Sequence, residues 1–70
     1  MIYIFLEKGF EEVEAMAPID ILRRAGAEVS TVGEGGKEVT SGRGVKVMAD
    51  LVENDVSLEN MDMVILPGGP

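Results

Sequence analysis

Cysteine and histidine are both absent from this chain of 70 residues. Their absence removes disulfides, thiolate and imidazole metal ligands, and every nucleophile–histidine pair from the chain taken alone. Carboxylates, one tyrosine, hydroxyls and backbone N–H groups are what remain, and a complete hydrolase is hard to build from them. No metal site and no cofactor are expected. Basic residues are also scarce: 6 Lys and Arg stand against 13 Asp and Glu, a net charge of −7. Such a field repels phosphate backbones and argues against nucleic-acid binding. Long apolar runs are missing too, none approaching the roughly 18 residues of a membrane span. The start, Met1-Ile2-Tyr3-Ile4-Phe5-Leu6, lacks the basic flank and cleavage site of a signal peptide. A cytoplasmic protein without membrane contacts is the expectation.

What is present suits a folded core. Hydrophobic residues make up 46% of the chain, too many for disorder, and its shortness leaves room for one domain. Ile2 to Leu6 is a continuous apolar run, as in a strand covered on both faces of a parallel sheet. Residues 11 to 25 read as a helix with Glu11 and Glu12 at its positive end, Arg23 and Arg24 at its negative end, and Gly26 as its stop. Glu28 to Val32 returns as a second strand, which makes residues 2 to 32 a βαβ unit. Glu38-Val39-Thr40 and Val45-Lys46-Val47 predict a small hairpin around Ser41-Gly42-Arg43-Gly44, with Arg43 projecting from its tip. Residues 51 to 60 are polar, and Ser57 could cap one short helical turn. Met63 to Leu66 is the last strand, delivering Pro67-Gly68-Gly69-Pro70. A strand that ends in such a turn usually presents backbone to a site and continues into more protein. The 70 residues are therefore read as the opening half of an α/β domain.

The helix carries one carboxylate out of pattern. Winding forward from Val13 at about 100° per residue, Ala17, Ile21, Ala25, Leu22, Ala15 and Ile19 sweep an apolar arc from roughly 40° to 240°. Glu14 falls near 100° on the same wheel, inside the arc. A glutamate there is either buried and paired, or it borders a cavity, or it simply bends out to solvent. Pro18 lacks the N–H that would bond the Glu14 carbonyl, so the helix should bend or loosen there. A buried Glu14 could donate a hydrogen bond to an anion such as a thiolate. If the first and last strands are parallel neighbours, Glu14, Gly68 and Gly69 all lie outside the carboxyl edge of the sheet, where open α/β sheets bind ligands. Glycines at that edge let backbone N–H groups approach an oxyanion closely, although an ordinary strand-exit turn would look the same.

Taken together, Glu11-Glu12-Val13-Glu14, Pro18-Ile19-Asp20, Leu22-Arg23-Arg24-Ala25-Gly26, Ser41 to Asp50 and Leu66-Pro67-Gly68-Gly69 resemble the ThiJ/PfpI superfamily, in the branch of the Parkinsonism-associated deglycase. The resemblance covers essentially the whole chain in order. It implies an α/β fold: the N-terminal part of a flavodoxin-like, class I glutamine amidotransferase-like three-layer sandwich with a mostly parallel sheet. Residues 1–70 would then be the N-terminal half of a single domain, without the nucleophile-elbow segment that carries the family's reactive cysteine. By the same resemblance Glu14 matches the glutamate whose carboxyl hydrogen-bonds that cysteine. Gly69, with Gly68, matches the backbone donor of the oxyanion pocket. Asp20, Arg24 and Arg43 match polar residues near the dimer interface and pocket. The competing reading makes Asp20 and Arg24 a surface ion pair at i, i+4 and Arg43 a solvated hairpin tip.

Two functions follow from the resemblance. One is the N-terminal half of a cysteine-dependent deglycase, glyoxalase-like enzyme or hydrolase acting on small carbonyl adducts, its cysteine supplied by a missing remainder or by a separate, complementary C-terminal polypeptide, and the completed domain a homodimer. The other is a non-catalytic stress or chaperone-type dimerising module. A phosphate or flavin binder on the same fold is disfavoured, because Glu7, Glu11 and Glu12 surround the helix start and no Gly-rich phosphate loop is present.

Overall fold

The computed structural model describes residues 1–69; Pro70, the last residue of the expected turn, lies outside them. Strand β1 (Ile2–Leu6) leads through helix α1 (Glu12–Arg24) to strand β2 (Val29–Gly33). The two strands pair in parallel from Ile2 against Val29 to Leu6 against Gly33, which completes the expected βαβ unit. A hairpin of β3 (Glu38–Thr40) and β4 (Lys46–Met48) follows, antiparallel with Val39 opposite Val47. Val45, expected to open β4, belongs to the turn, where its N–H is held by Ser41 Oγ at 2.9 Å. Strand β5 (Leu51–Val52) then pairs with the outer side of β2, and β6 (Met63–Ile65) with the other side of β1. The main sheet has the order β5-β2-β1-β6 and is parallel throughout.

Between β5 and β6 the chain makes two 3₁₀ turns, Glu53–Asp55 and Leu58–Asn60, rather than one. Ser57 precedes the second turn but its side chain caps nothing; its backbone N–H instead bonds Tyr3 Oη at 3.2 Å. Strand β5 and the extra turn escaped the sequence reading because two or three residues are too short to show a period.

The core lies between the sheet and α1. Ile4 and Leu6 of β1, Val29 of β2, Ala15 and Ile19 of α1, Phe10 and Val39 form one buried cluster, with Ile65 and Val47 packed against it. Each large aliphatic side chain buried there contributes about 1.5–3 kcal/mol. Glu11 starts the helix by accepting the Val13 N–H on its carboxylate at 2.8 Å. Gly26, at φ +86°, ends it: the Gly26 N–H reaches Arg23 O and the Ala27 N–H reaches Leu22 O, a Schellman stop that only a left-handed residue closes cheaply. Pro18 sits inside the helix, which runs through it as one 13-residue element.

The apolar arc of α1 is only half covered. Ala15 and Ile19 are buried and Leu22 half-buried, whereas Val13 and Ile21 are 70% and 65% exposed and Ala17 and Ala25 also face outward. The sheet covers a sector nearer 100° wide than the full arc in the sequence. Glu14 lies in the uncovered sector and is exposed, which rules out burial among the readings its place in the apolar arc left open. Among the described residues no helix is long and apolar enough to cross a membrane.

Candidate functional site

Strands β1 and β6 are neighbours, so the loops leaving their carboxyl ends meet. Residues 7–10 after β1 and residues 66–69 after β6 enclose, with Phe5, a cavity of about 310 Å³. Its position at the carboxyl edge of a parallel sheet is the usual place for a ligand in an open α/β fold.

Two hydrogen bonds tie the β6 exit to the helix start. The Gly68 N–H donates to Glu14 Oε1 at 2.8 Å, and the Glu11 N–H donates to Gly68 O at 2.7 Å. Close packing demands a glycine at 69, whereas at 68 the nearest atoms belong to the flexible Glu14 side chain. A Cβ on Gly68 would lie 2.5 Å from Glu14 Oε1, and one on Gly69 would lie 2.9 Å from the Gly9 carbonyl oxygen. Because the Gly68 N–H is already committed to Glu14, it is not a free oxyanion donor. The Gly69 N–H has no partner among the described residues, so the two adjacent glycines differ in what their N–H groups bond.

The three glutamates at the helix start have separate partners. Glu11 caps the helix. Glu14 holds Gly68. Glu12 holds the hairpin: its Oε2 accepts the Ser41 hydroxyl at 2.5 Å and the Arg43 N–H at 3.0 Å. The Ser41 bond, above all, holds the Glu12 carboxyl below the usual range; its own backbone N–H and the Arg43 N–H and charge add to this, against a smaller opposing effect of burial. Nearby, the Gly9 N–H reaches Thr40 O and the Gly42 N–H reaches Phe10 O, both at 2.8 Å. The cavity wall at Gly9 and Phe10 is therefore clasped from behind by the hairpin. Glu34 lies near Glu7 of the same wall, and burial, then the Glu7 and Glu53 charges, push its carboxyl above the usual range.

Glu14 braces the Gly68 turn without itself lining the cavity, and the remaining sequence candidates stand apart from it. Asp20 and Arg24 form an ion pair at 2.6 Å on the helix surface, with side chains 60% and 80% exposed. Arg43 is exposed at the hairpin tip, and neither it nor the ion pair lines the cavity. Among the described residues no group of acidic side chains is arranged to hold a metal ion. The sequence places Glu12 at the helix start and Ser41 in the hairpin turn without linking them, and it gives no signal that Lys8 and Phe10 line the cavity. A first-turn glutamate followed by a serine some thirty residues on carries no local signal; only the hairpin's placement joins them.

A parallel sheet with a cavity at its carboxyl edge and a glutamate-braced glycine turn beside it defines the class: an open α/β domain. The model of the DJ-1/PfpI family matches residues 1–70, and the chain belongs to that family. It is 41% identical over 68 residues to the Parkinson disease protein 7 homolog of Danio rerio, covering 94% of this chain and 36% of that protein. It is 33% identical over 60 residues to the glutathione-independent glyoxalase DJR-1.2 of Caenorhabditis elegans, covering 86% of this chain and 32% of that protein. Among solved structures, the DJ-1 superfamily protein STM1931 of Salmonella typhimurium superposes with a TM-score of 0.92 at 36% identity, over 99% of this chain and 38% of that one. The chain thus spans well under half the length of these relatives.

Proposed function

We propose that this chain supplies the glutamate and oxyanion side of a cysteine-dependent enzyme acting on small carbonyl adducts, of the deglycase, glyoxalase-like or hydrolase kind. The observation that carries the reading is the Gly68 N–H bonded to Glu14 at 2.8 Å, next to a Gly69 N–H that has no partner among the described residues and lies at the cavity. The family's membership and a relative named as a glyoxalase support it. In this reading residues 1–70 are the N-terminal half of one domain, and the C-terminal part of that domain, on the same or a separate polypeptide, brings the cysteine. Its thiolate adds to the substrate's carbonyl carbon, forming a carbon–sulfur bond while the π pair of the C=O moves onto oxygen. The Gly69 N–H receives that charge. Glu14, whose Oε1 accepts the Gly68 N–H, presents Oε2 beside the sulfur, where it accepts the thiol proton as the thiolate forms.

The unpaired outer edge of β6 and the exposed Val64 and Leu66 beside it support such a companion segment, since an open apolar edge is unfavourable in water. The exposed Val13, Ala17 and Ile21 strip of α1, next to the Asp20–Arg24 pair, is our candidate surface for pairing two completed domains.

The test is Glu14→Gln in the full-length protein, assayed with methylglyoxal as a small 2-oxoaldehyde. Loss of about tenfold or more in kcat/KM with an altered pH profile is expected. Wild-type turnover by the variant would remove Glu14 from the chemistry, and if neither protein turned over the substrate while both suppressed aggregation of a client, the dimerising chaperone module would replace the enzyme.

A further inference from the structure

Beyond Glu14, we infer that Glu12 is a positioning residue of this site: through Ser41 and Arg43 it latches the β3–β4 hairpin onto the cavity wall and sets where the Arg43 cation stands. The inference rests on the proposed function for its catalytic readout, but not for its structural one.

Four observations converge on the latch. One oxygen, Glu12 Oε2, takes donors from both sides of Gly42: the Ser41 hydroxyl at 2.5 Å and the Arg43 N–H at 3.0 Å. Ser41 is 5% exposed, and its Oγ also accepts the Val45 N–H at 2.9 Å, so the same hydroxyl closes the hairpin turn and ties it to the helix. The segment so held is bonded to the cavity wall by two backbone bonds, Gly9 N–H to Thr40 O and Gly42 N–H to Phe10 O. Finally, Arg43 is exposed and in no ion pair among the described residues, so its position depends on its backbone, whose own N–H is held by Glu12 Oε2.

The latch is separate from the bracing of the glycine turn. Glu12 makes no hydrogen bond to residues 66–69, and Glu14 makes none to the hairpin. Loss of Glu12 should therefore loosen the substrate-facing wall and the Arg43 tip while leaving the Glu14–Gly68 contact in place. Weakened binding rather than slowed chemistry is the signature of such a change. Releasing the Ser41 hydroxyl from the helix also leaves a buried polar atom with one partner fewer.

The experiment compares wild type, Glu12→Ala, Ser41→Ala and Ser41→Thr in the full-length protein. It reads amide hydrogen exchange at Gly42 and Arg43, the melting temperature, and KM and kcat for methylglyoxal. Exchange at both amides should quicken by about tenfold in Glu12→Ala and Ser41→Ala, with Gly68 unchanged. KM should rise about fivefold with kcat within about twofold, and Ser41→Thr, which keeps the hydroxyl, should restore both readings. Unchanged exchange at Gly42 and Arg43 overturns the latch. Acceleration spread over the whole sheet, with kcat falling alongside, overturns the positioning role and leaves Glu12 a general stabiliser. If wild type fails to turn over methylglyoxal, the proposed function falls, and the exchange at Gly42 and Arg43 alone decides the latch.

Discussion

At the scale of single residues, Gly68 and Gly69 differ in what an added methyl would strike. On Gly68 it would meet the far end of the Glu14 side chain, which can swing away. On Gly69 it would meet the Gly9 carbonyl and Phe10 Cα, backbone atoms of the opposite cavity wall. Gly68→Ala is therefore expected to behave like a Glu14 variant, with the cavity intact and the Glu14 contact broken. Gly69→Ala should spread the walls and lower kcat/KM about a further tenfold, because a misplaced donor loses most of its worth. Kinetics of the two variants side by side, with a melting curve for each, check the order; Gly68→Ala more damaging than Gly69→Ala would reverse this account of the turn. The residues themselves were visible in the sequence, as was Glu14. The commitment of the Gly68 N–H to Glu14 was not, because a bond across 54 positions leaves no local trace.

Among the elements, a second fastened junction lies away from the cavity. Asp50, just after β4, accepts the Thr31 N–H and Arg23 Nη2, each at 3.0 Å, while the Asp50 N–H donates to Thr31 Oγ1 at 2.8 Å. One side chain thus joins the hairpin's end, β2 and the last turn of α1. Removing it strands donors that are partly shielded from water. Asp50→Ala should cost about 1–2 kcal/mol in denaturant unfolding, whereas Asp20→Ala, which cuts only the exposed pair with Arg24, should cost about 0.5 kcal/mol or less. Equal losses for the two would show that Asp50 is no more than another surface ion. Helix α1 teaches a related lesson. Its ends were legible from Glu11, Arg23, Arg24 and Gly26, since caps and dipole partners act within a turn. Its buried face was read too broadly, because the periodicity marks every apolar position and cannot say how much of the arc a four-stranded sheet reaches.

For the whole molecule, 13 acidic residues against 6 basic ones make stability a function of pH, and the shifted groups set its sign. Asp50 and Glu12 are held below their usual values, chiefly by the Thr31 N–H and the Ser41 hydroxyl respectively. A depressed carboxylate stabilises the fold above its unfolded pKa, about 4, and the contribution disappears as pH falls through the lower folded value. Glu34 runs the other way: raised by burial and by Glu7 and Glu53, its charge opposes folding at neutral pH and is relieved on mild acidification. The melting temperature should therefore rise slightly as the pH is lowered from 7 toward 5, then fall below about 4. Glu34→Gln should raise the pH 7 value and flatten the first limb while leaving the acid limb unchanged. A monotonic fall from pH 7 downward in wild type would mean that the Glu7–Glu34–Glu53 repulsion is negligible.

From its sequence alone this chain determined the βαβ unit, the parallel sheet, the hairpin and the family resemblance. Each depends on local periodicity, capping or motif order, which neighbouring residues specify among themselves. Tertiary structure decided the rest: the outward turn of Glu14, the exposure of Val13 and Ile21, the union of Glu12 with Ser41, and the division of labour between Gly68 and Gly69. Those depend on how far one element reaches across another, and burial and long-range hydrogen bonds exist only once the chain has closed on itself.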